Sequence, residues 1–510
     1  MEVALAFSVI FCAATLIPLV HCYSNEPREY TNTIPISRRS LLNRRTLAGD
    51  FDAVFARDEQ QAVYQKYLTM APEILAGIFP APENDMEKFV QSKYVNEVSP
   101  DTDNVMEQVV GPVDVSNVLL TMSMTDVIVN EVDMLYYGDL AIGTPGQGLT
   151  FDIDTGSADL WVPSPWCSTC TKNHYDGSQS STYVDKGRRF AVSYGSGTVY
   201  GTTASDTVAI AGTAVQNQTF GVVYRESEDF QEYPNDGILG MAFGTIAQSR
   251  GLTVFETMMK QGKLKWPCFS VHLARSQETG SEMCWGCYDP TKATGPISWF
   301  PVSHRVSDGC LLVNVRRQFS IIPGILVHCE CLRSIGRFMR PTNWLKPMGA
   351  FDVAGQRTTF DEVIISAIDT GTTFCYFPAS IAAEIYAQAS FCYLTMMCLQ
   401  AMALVCICDY NEHHTGFYTY PCASKVDLRF VFGDVAFLLH PDDFNLGNYC
   451  LGLNQAINYS ECMGGIFAMD ATEWPSNLAI IGDEFLKSWY SVYDYSDGGR
   501  VGFAPSVNNQ

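Results

Sequence analysis

"FDIDTGSADLW" fills residues 151–161. An apolar run carries Asp154 to its end, and Thr155, Gly156 and Ser157 then turn the chain. A carboxylate placed there is costly to bury unless donors reach it. The backbone N–H groups of a tight Thr-Gly turn are such donors. One such turn is ordinary. A second copy changes the reading: "ISAIDTGTTF", residues 365–374, sets Asp369, Thr370, Gly371 and Thr372 in the same order. Each turn is followed, much later, by an apolar-apolar-Gly run. These are Ile238-Leu239-Gly240 in "DGILGMAF" and Ile480-Ile481-Gly482 in "LAIIGDEF". The pairing predicts a duplicated fold of two lobes, each with one Asp-Thr-Gly turn.

If the lobes face each other, Asp154 and Asp369 share one site. Two close carboxylates cannot both ionise cheaply, so such a pair holds one proton over a wide acidic range. One carboxylate can then polarise a water while the other protonates a carbonyl. That chemistry hydrolyses a peptide bond with no metal, no cofactor and no covalent intermediate.

The 510 residues exceed one core of ordinary size. Short β-type runs start near residue 117, with "NVLLTM", "DVIVNEV" and "LYYGDLAIG", and continue to the end between Gly, Ser, Asn and Asp. The body is expected to be all-β. The net charge of −23 argues against nucleic acid as a partner and suits work in acid. Val3 to Val20 is almost wholly apolar and "VHC" (20–22) offers a cleavage site, so residues 1–22 read as a signal peptide. Glu2 replaces the usual basic start, and an uncleaved anchor is the rival reading. The protein is expected to be secreted, or delivered to the vacuole, as a monomer with no membrane span in its mature chain. Residues 23–116 differ from the body. Their first part carries Arg38-Arg39 and Arg44-Arg45, and residues 51–116 are mostly acidic with helix-like stretches such as "EQQAVYQKYLTM". They read as a removable propeptide, cut between about residue 85 and residue 117 in a polar linker. The dibasic pairs offer an earlier cut.

The 18 cysteines of a secreted chain are read first as disulfides. Cys167-x-x-Cys170 and Cys284-x-x-Cys287 have zinc-ligand spacing but stand far apart in an oxidising context, so no metal is expected. Asn217 and Asn458 begin glycosylation acceptor triplets. "YGSGTVYG" is glycine-rich but lacks the spacing and following helix of a phosphate loop.

"DTGSADLWVPS", "SYGSG", "DGILGMAF", "AIDTGTTF" and "IIGDEFLKSWYSVYD…VGFAP" resemble, in order, the motifs of the pepsin-like aspartic proteases. "YYGDLAIGTPGQ", "GFYTYPC" and "DDFNLG" look most like secreted fungal members. The resemblance implies a bilobal all-β fold with a central cleft, a propeptide bound to its own enzyme, and protein or peptide substrates with bulky apolar residues beside the cut. It assigns Asp154 and Asp369 as the catalytic pair, with Ser157 and Thr372 as hydroxyls on the outer carboxylate oxygens. Thr155 and Thr370 become cross-braces between the turns, beside Gly156 and Gly371. Tyr194 becomes a flap tyrosine, with Gly195, Ser196 and Gly197 at the flap tip and Trp161 donating its N–H to that tyrosine. It pairs Cys167 with Cys170 and Cys422 with Cys462, leaving Cys268, Cys284, Cys287, Cys375 and Cys450 unassigned. The lobes are expected over 117–300 and 301–510. Two departures stand at the first turn: Ile153 where Phe is common, and Asp152 as an acidic neighbour. A catalytically inactive binding or inhibitor protein of the same fold is the alternative, weakened by the presence of every motif residue.

Residues 306–341 and 390–414 interrupt the second half. They hold Cys310, Cys329, Cys331, Cys392, Cys398, Cys406 and Cys408. Residues 390–408 are apolar enough to suggest a membrane span, but one there would cut a lobe in two. Both stretches read as translated introns or lineage-specific loops.

Overall fold

The computed structural model describes residues 56–57, 59–67, 119–129, 131–194, 197–302, 344–397, 417–448, 461–469 and 474–509. The signal segment, most of the propeptide stretch, the whole first interruption (306–341) and residues 398–414 of the second lie outside them.

The body is strand-built, as the turn-punctuated sequence predicts. Its first half contains β1 (Thr121–Val129), β2 (Val132–Ile142), β3 (Gln147–Asp154), β4 (Leu160–Pro163), β5 (Val184–Tyr194), β6 (Gly197–Ile210), β7 (Thr213–Glu226), β8 (Gly237–Gly240), β9 (Cys268–His272), β10 (Ser281–Trp285) and β11 (Ser298–Pro301). The second half follows with β12 (Leu345–Val353), β13 (Gln356–Ile368), β14 (Cys375–Pro378), β15 (Thr419–Pro421), β16 (Leu428–Phe432), β17 (Val435–Leu439), β18 (Asn445–Asn448), β19 (Glu461–Gly464), β20 (Ile466–Met469) and β21 (Leu478–Ile481). The last strands, β22 (Trp489–Asp494) and β23 (Arg500–Pro505), return to the first sheet, between β9 and β11.

The duplication is visible in the pairing. In the first lobe β3 runs parallel to β8, with Asp154 opposite Gly240, and β8 runs antiparallel to β4. In the second lobe β13 runs parallel to β21, with Ile368 opposite Ile481, and β21 runs antiparallel to β14. β4, β8, β14 and β21 are buried along their whole length, which explains their unbroken apolar runs. The glycine ending each apolar run has a steric cause. A Cβ at Gly240 would strike the backbone of Ala158 and Asp159, and one at Gly482 the carbonyls of Thr372 and Phe374. Each Asp-bearing turn is thus pressed against the glycine of its own lobe.

Helices are few and short by comparison. Residues 59–67 form α1. Val254–Lys260 forms α2, begun by a capping box between Thr253 and Glu256. Ala379–Met397 forms α3, Pro441–Phe444 α4 and Asp483–Leu486 α5. No helix among the described residues is long and apolar enough to cross a membrane. Cys167–Cys170, Cys284–Cys287 and Cys422–Cys462 are disulfides. Both Cys-x-x-Cys pairs therefore close on themselves, including the one the sequence left unassigned. Cys268 and Cys375 are buried thiols.

Candidate active site

The two turns meet in the middle of the molecule. A Cβ on Gly156 would lie 2.5 Å from Asp369 Oδ1, and one on Gly371 would lie 2.5 Å from Asp154 Oδ1. Only glycine leaves room for each carboxylate beside the opposite turn. The threonines lock the arrangement. Thr155 N–H donates to Thr370 Oγ1 (3.1 Å) and Thr370 N–H to Thr155 Oγ1 (3.0 Å). Each hydroxyl then donates across the lobes, Thr155 to the Ile368 carbonyl (2.9 Å) and Thr370 to that of Ile153 (2.5 Å).

Asp154 and Asp369 are both buried. The N–H of Gly156 donates to Asp154 Oδ1 (2.8 Å) and that of Gly371 to Asp369 Oδ1 (3.0 Å). The outer hydroxyls are not equivalent. Thr372 donates to Asp369 Oδ2 at 2.6 Å, whereas the buried Ser157 hydroxyl faces Asp154 and Tyr194 in a looser geometry, without a well-formed hydrogen bond.

Beside the pair stands α1. Lys66 Nζ lies 2.9 Å from Asp154 Oδ1 and 2.9 Å from Asp369 Oδ2, bridging the two carboxylates. Tyr67 Oη donates to the same Asp369 oxygen at 2.8 Å. Burial opposes charging Lys66, but Asp154 and Asp369 outweigh it and hold the ammonium above its usual range. Burial likewise pushes Asp154 up, with Lys66 pulling the other way and the Asp369 charge adding to the rise. Burial also acts against ionising Asp369, yet Lys66 and the Thr372 hydroxyl win and hold it at about 2. Lys66 favours the ionised form of both carboxylates, and the Thr372 and Tyr67 hydroxyls add donors to Asp369 alone.

The rest of α1 is anchored along the same cleft. Glu59 Oε1 accepts the N–H groups of Thr373 (2.8 Å) and Phe374 (3.3 Å), one turn of chain beyond Asp369. Its burial pushes the carboxyl up to about 8, against those two donors. Gln60 Nε2 donates to the Ala468 carbonyl (2.7 Å), and Tyr64 and Tyr67 pack against Trp474. Neither Lys66 nor Glu59 was singled out from the sequence. Lys66 is the one cation of α1, in "QKYL", and by itself points to no partner.

Tyr194 ends β5, directly before the β5–β6 hairpin turn. Its ring packs 6.3 Å from Trp161 and 6.0 Å from Phe230, and all three side chains are buried. Tyr194 Oη faces Trp161 Nε1 and the Ser157 hydroxyl, although none of these buried atoms makes a well-formed hydrogen bond. Gly197 opens β6 at φ 131°, a conformation that favours glycine, and a Cβ there would press on Ser227. Gly195 and Ser196 lie outside the described residues, as do Asn458 and Cys450. Asn217 is exposed on β7.

The chain matches the eukaryotic aspartyl protease family over residues 135–319 and 334–506. The residues between those ranges fall inside the first interruption. An aspartic protease of Phaffia rhodozyma is 31% identical over 378 residues, covering 74% of this chain and 77% of that protein. Rhizopuspepsin of Rhizopus chinensis is 31% identical over 381 residues, covering 73% and 78%. Mouse cathepsin E is 28% identical over 394 residues, covering 76% and 83%. The facing Asp-Thr-Gly turns, their threonine brace and these matches lead to one statement. The chain belongs to the eukaryotic aspartyl protease family and is a pepsin-like aspartic endopeptidase.

Proposed function

We propose that this protein is a secreted acid endopeptidase made as a zymogen, with Asp154 and Asp369 as its catalytic dyad and α1 as the part of the propeptide that keeps it latent. The observation that carries this reading is Lys66, whose ammonium bridges both carboxylates. While it is there, the pair cannot share a proton or hold a water. Once α1 leaves, the cation that neutralises the two acids leaves with it. The pair then takes one proton, and one carboxylate serves as base toward water while the other serves as acid toward the peptide carbonyl. Ser157 and Thr372 orient the outer oxygens, and Tyr194 acts as a lid residue over bound peptide. The residue preceding Tyr67 is thus both lock and reporter of the reaction site. Secretion is supported by the apolar stretch 3–20 and by three disulfides in the body.

The deciding experiment compares the secreted wild type with Asp154→Asn. Acid-treated wild type is expected to digest haemoglobin and to be blocked by pepstatin. The variant is expected to fold and to lose activity by several orders of magnitude. Near-normal proteolysis by the variant overturns the assignment. An intact wild type that binds but never cleaves peptides supports the inactive alternative.

A further inference from the structure

Phe190 and Tyr194 point from β5 into the core, so Arg189, Ala191 and Ser193 between and beside them point outward. Arg189 lies opposite Thr202 on β6. Ala191 lies opposite Tyr200, which in turn lies opposite Arg225 on β7. Tyr200 is 43% exposed and Tyr224 50%. Just before Arg189 the register slips, and Lys186-Gly187-Arg188 bulges from the strand with Gly187 at φ 60°. Lys186, Arg188, Arg189 and Arg225 are the cations of β5, β6 and β7; all are exposed, and none forms an ion pair among the described residues. Lys186 Nζ donates to the Thr219 hydroxyl (2.7 Å), and burial, then the Arg188 charge, lower it from its usual range. The acids of these strands do not answer them. Asp206 and Glu226 are buried, and the exposed Asp185 takes the Gly187 N–H on its Oδ1 (2.8 Å). Charge on an edge strand often serves only to keep other strands away. That covers β5, the last strand of its sheet, but not Tyr200 on β6 or Tyr224 and Arg225 on β7, which stand inside it. The face also begins where the cleft ends: a cavity bordered by Lys66, Ser157 and Tyr194 reaches Ala191 and Ser193, and Arg189 is next on that side of the strand.

We infer that this outer face of β5, β6 and β7 is an exosite that holds an acidic stretch of the protein substrate while the bond is cut in the cleft. The inference rests on the peptidase reading above and names the class of substrate that such an enzyme prefers. The chain carries a net charge of −23, so an acidic partner finds attraction on this face and repulsion over most of the rest. Guanidinium groups bind carboxylates in a matched fork, and Arg and Tyr are the residues that most often carry the energy of protein contacts. Roughly 17 Å of strand separates Tyr194 from Arg189. The acidic stretch therefore belongs about five or more positions from the cut, beyond the residues that fill the cleft.

The pH dependence has a definite sign. Arginine keeps its charge throughout, and Lys186, though lowered, is a cation in acid. The partner is what titrates, since glutamates of a bound peptide lose their charge below about pH 4. Attraction is weak at about pH 3 and full by about pH 5.5. Among the acids of the same strands, burial pushes Glu226 up to about 7, against the pull of Lys172, so it is neutral over this range. Asp206 stays charged but is held inside by the Tyr175 and Thr182 hydroxyls and the Thr207 N–H. Asp185 on β5 and Glu228 just beyond β7 are the exposed acids that oppose the partner.

Matched peptides would test this with the acid-treated protein. Each has one cleavable core and, beyond a short spacer at one end or the other, a run of Glu or a run of Gln. The expected wild-type result is a kcat/KM ratio favouring the Glu run about tenfold at one of the ends, at pH 5.5 and low salt, carried by KM. It should shrink toward one at pH 3 and in about 0.5 M salt. Changing Lys186, Arg188, Arg189 and Arg225 together to Gln should abolish the preference, while the Gln-run peptide is cut as before. A preference unchanged in that variant, or none in the wild type at either end, overturns the proposal. Should the fourfold variant fail to fold, Arg189→Gln and Arg225→Gln should each lower the ratio, and no change in either overturns the proposal equally. A Glu-run peptide with its core bond reduced, followed by fluorescence anisotropy, reads the face without turnover. If the wild type binds it and the variant does not, the exosite stands even should no peptide be cut, and the peptidase reading alone fails. Cutting of the core with no gain in binding from the Glu run sinks the exosite and leaves the peptidase reading intact. Binding of polygalacturonate with no response to the Glu run would assign the face to an anionic glycan and overturn the substrate proposal.

Discussion

Thr155 and Thr370 are each other's hydrogen-bond partners twice over: each main-chain N–H donates to the opposite hydroxyl, at 3.1 and 3.0 Å. Because each hydroxyl also donates to a carbonyl of the opposite lobe, four buried bonds close a single knot under the dyad. Thr155→Val keeps the shape and removes the hydroxyl. It leaves the Thr370 N–H and the Ile368 carbonyl unpaired in the interior, which should cost about 2–5 kcal/mol. Thr155→Ser should recover most of that, since only a methyl is lost. Urea unfolding of the three proteins measures it. A Val variant as stable as wild type would show that the brace is replaceable by packing.

Lys66→Met tests the lock. It fills similar volume but leaves two buried carboxylates facing each other without a cation. At pH 7 the uncleaved chain should lose about 3–5 kcal/mol of stability. In acid the loss should shrink, because the pair can then take a proton. The uncleaved variant should also bind pepstatin in acid, which the wild-type zymogen should refuse. Calorimetric unfolding at pH 7 and pH 4, and inhibitor titration, give the two readouts. Equal loss at both pH values would mean that Lys66 acts through packing alone.

Glu59 and Asp369 respond to pH in opposite directions. The docked Glu59 carboxyl sits at about 8, against 4.5 for a free one, so docking binds a proton between those values. Its contribution is complete below pH 4.5 and is lost as pH rises through about 8. Asp369 is held at about 2 while Lys66 is in place, so its contribution is present at higher pH and lost as pH falls toward 2. The zymogen should therefore stay closed through mild acid and open only in strong acid. Glu59→Gln removes the first response. Its docking should be stronger than that of the wild type at pH 7 and flat from pH 8 to pH 4.5, where the wild type gains up to about tenfold per pH unit. The rate of self-cleavage or inhibitor access across that range reports it. A parallel pH profile in the variant would refute the role given to Glu59.

Tyr194 separates ring from hydroxyl. Tyr194→Phe removes an oxygen that makes no well-formed hydrogen bond in this state, so the stability of the uncleaved chain should change by less than about 0.5 kcal/mol. Tyr194→Ala removes the ring packed on Trp161 and Phe230 and should cost about 3 kcal/mol. Turnover should drop further in Ala than in Phe if the ring covers bound peptide. A large stability loss in Phe would contradict the lack of a well-formed bond at that hydroxyl.

The facing turns were legible because duplication writes each landmark twice. Asp154 and Asp369 share a local pattern, and Gly240 and Gly482 share another that the crowding of their own turns demands. The Lys66 bridge between the carboxylates was not legible. Charged residues on a helix look like a solvated face, and the carboxylates that Lys66 meets are 88 and 303 residues away. Nothing within "EQQAVYQKYLTM" signals them. The Cys284–Cys287 bond was hidden for another reason: a close Cys pair is compatible with a metal, a bridge or two thiols until the backbone brings the sulfurs together.

The return of β22 and β23 to the first sheet orders the birth of the molecule. Ser491 pairs with Val271 and Val501 with Phe300, so β9 and β11 have no neighbours on those sides until the final residues have been synthesised. During translation the first lobe must wait as an open sheet with exposed edges, the condition under which strands find wrong partners. Both interrupting stretches, 306–341 and 390–414, lie inside that wait. Any length they add lengthens the interval before the edges are covered. Deleting the last two dozen residues would accordingly ruin the half of the protein made first.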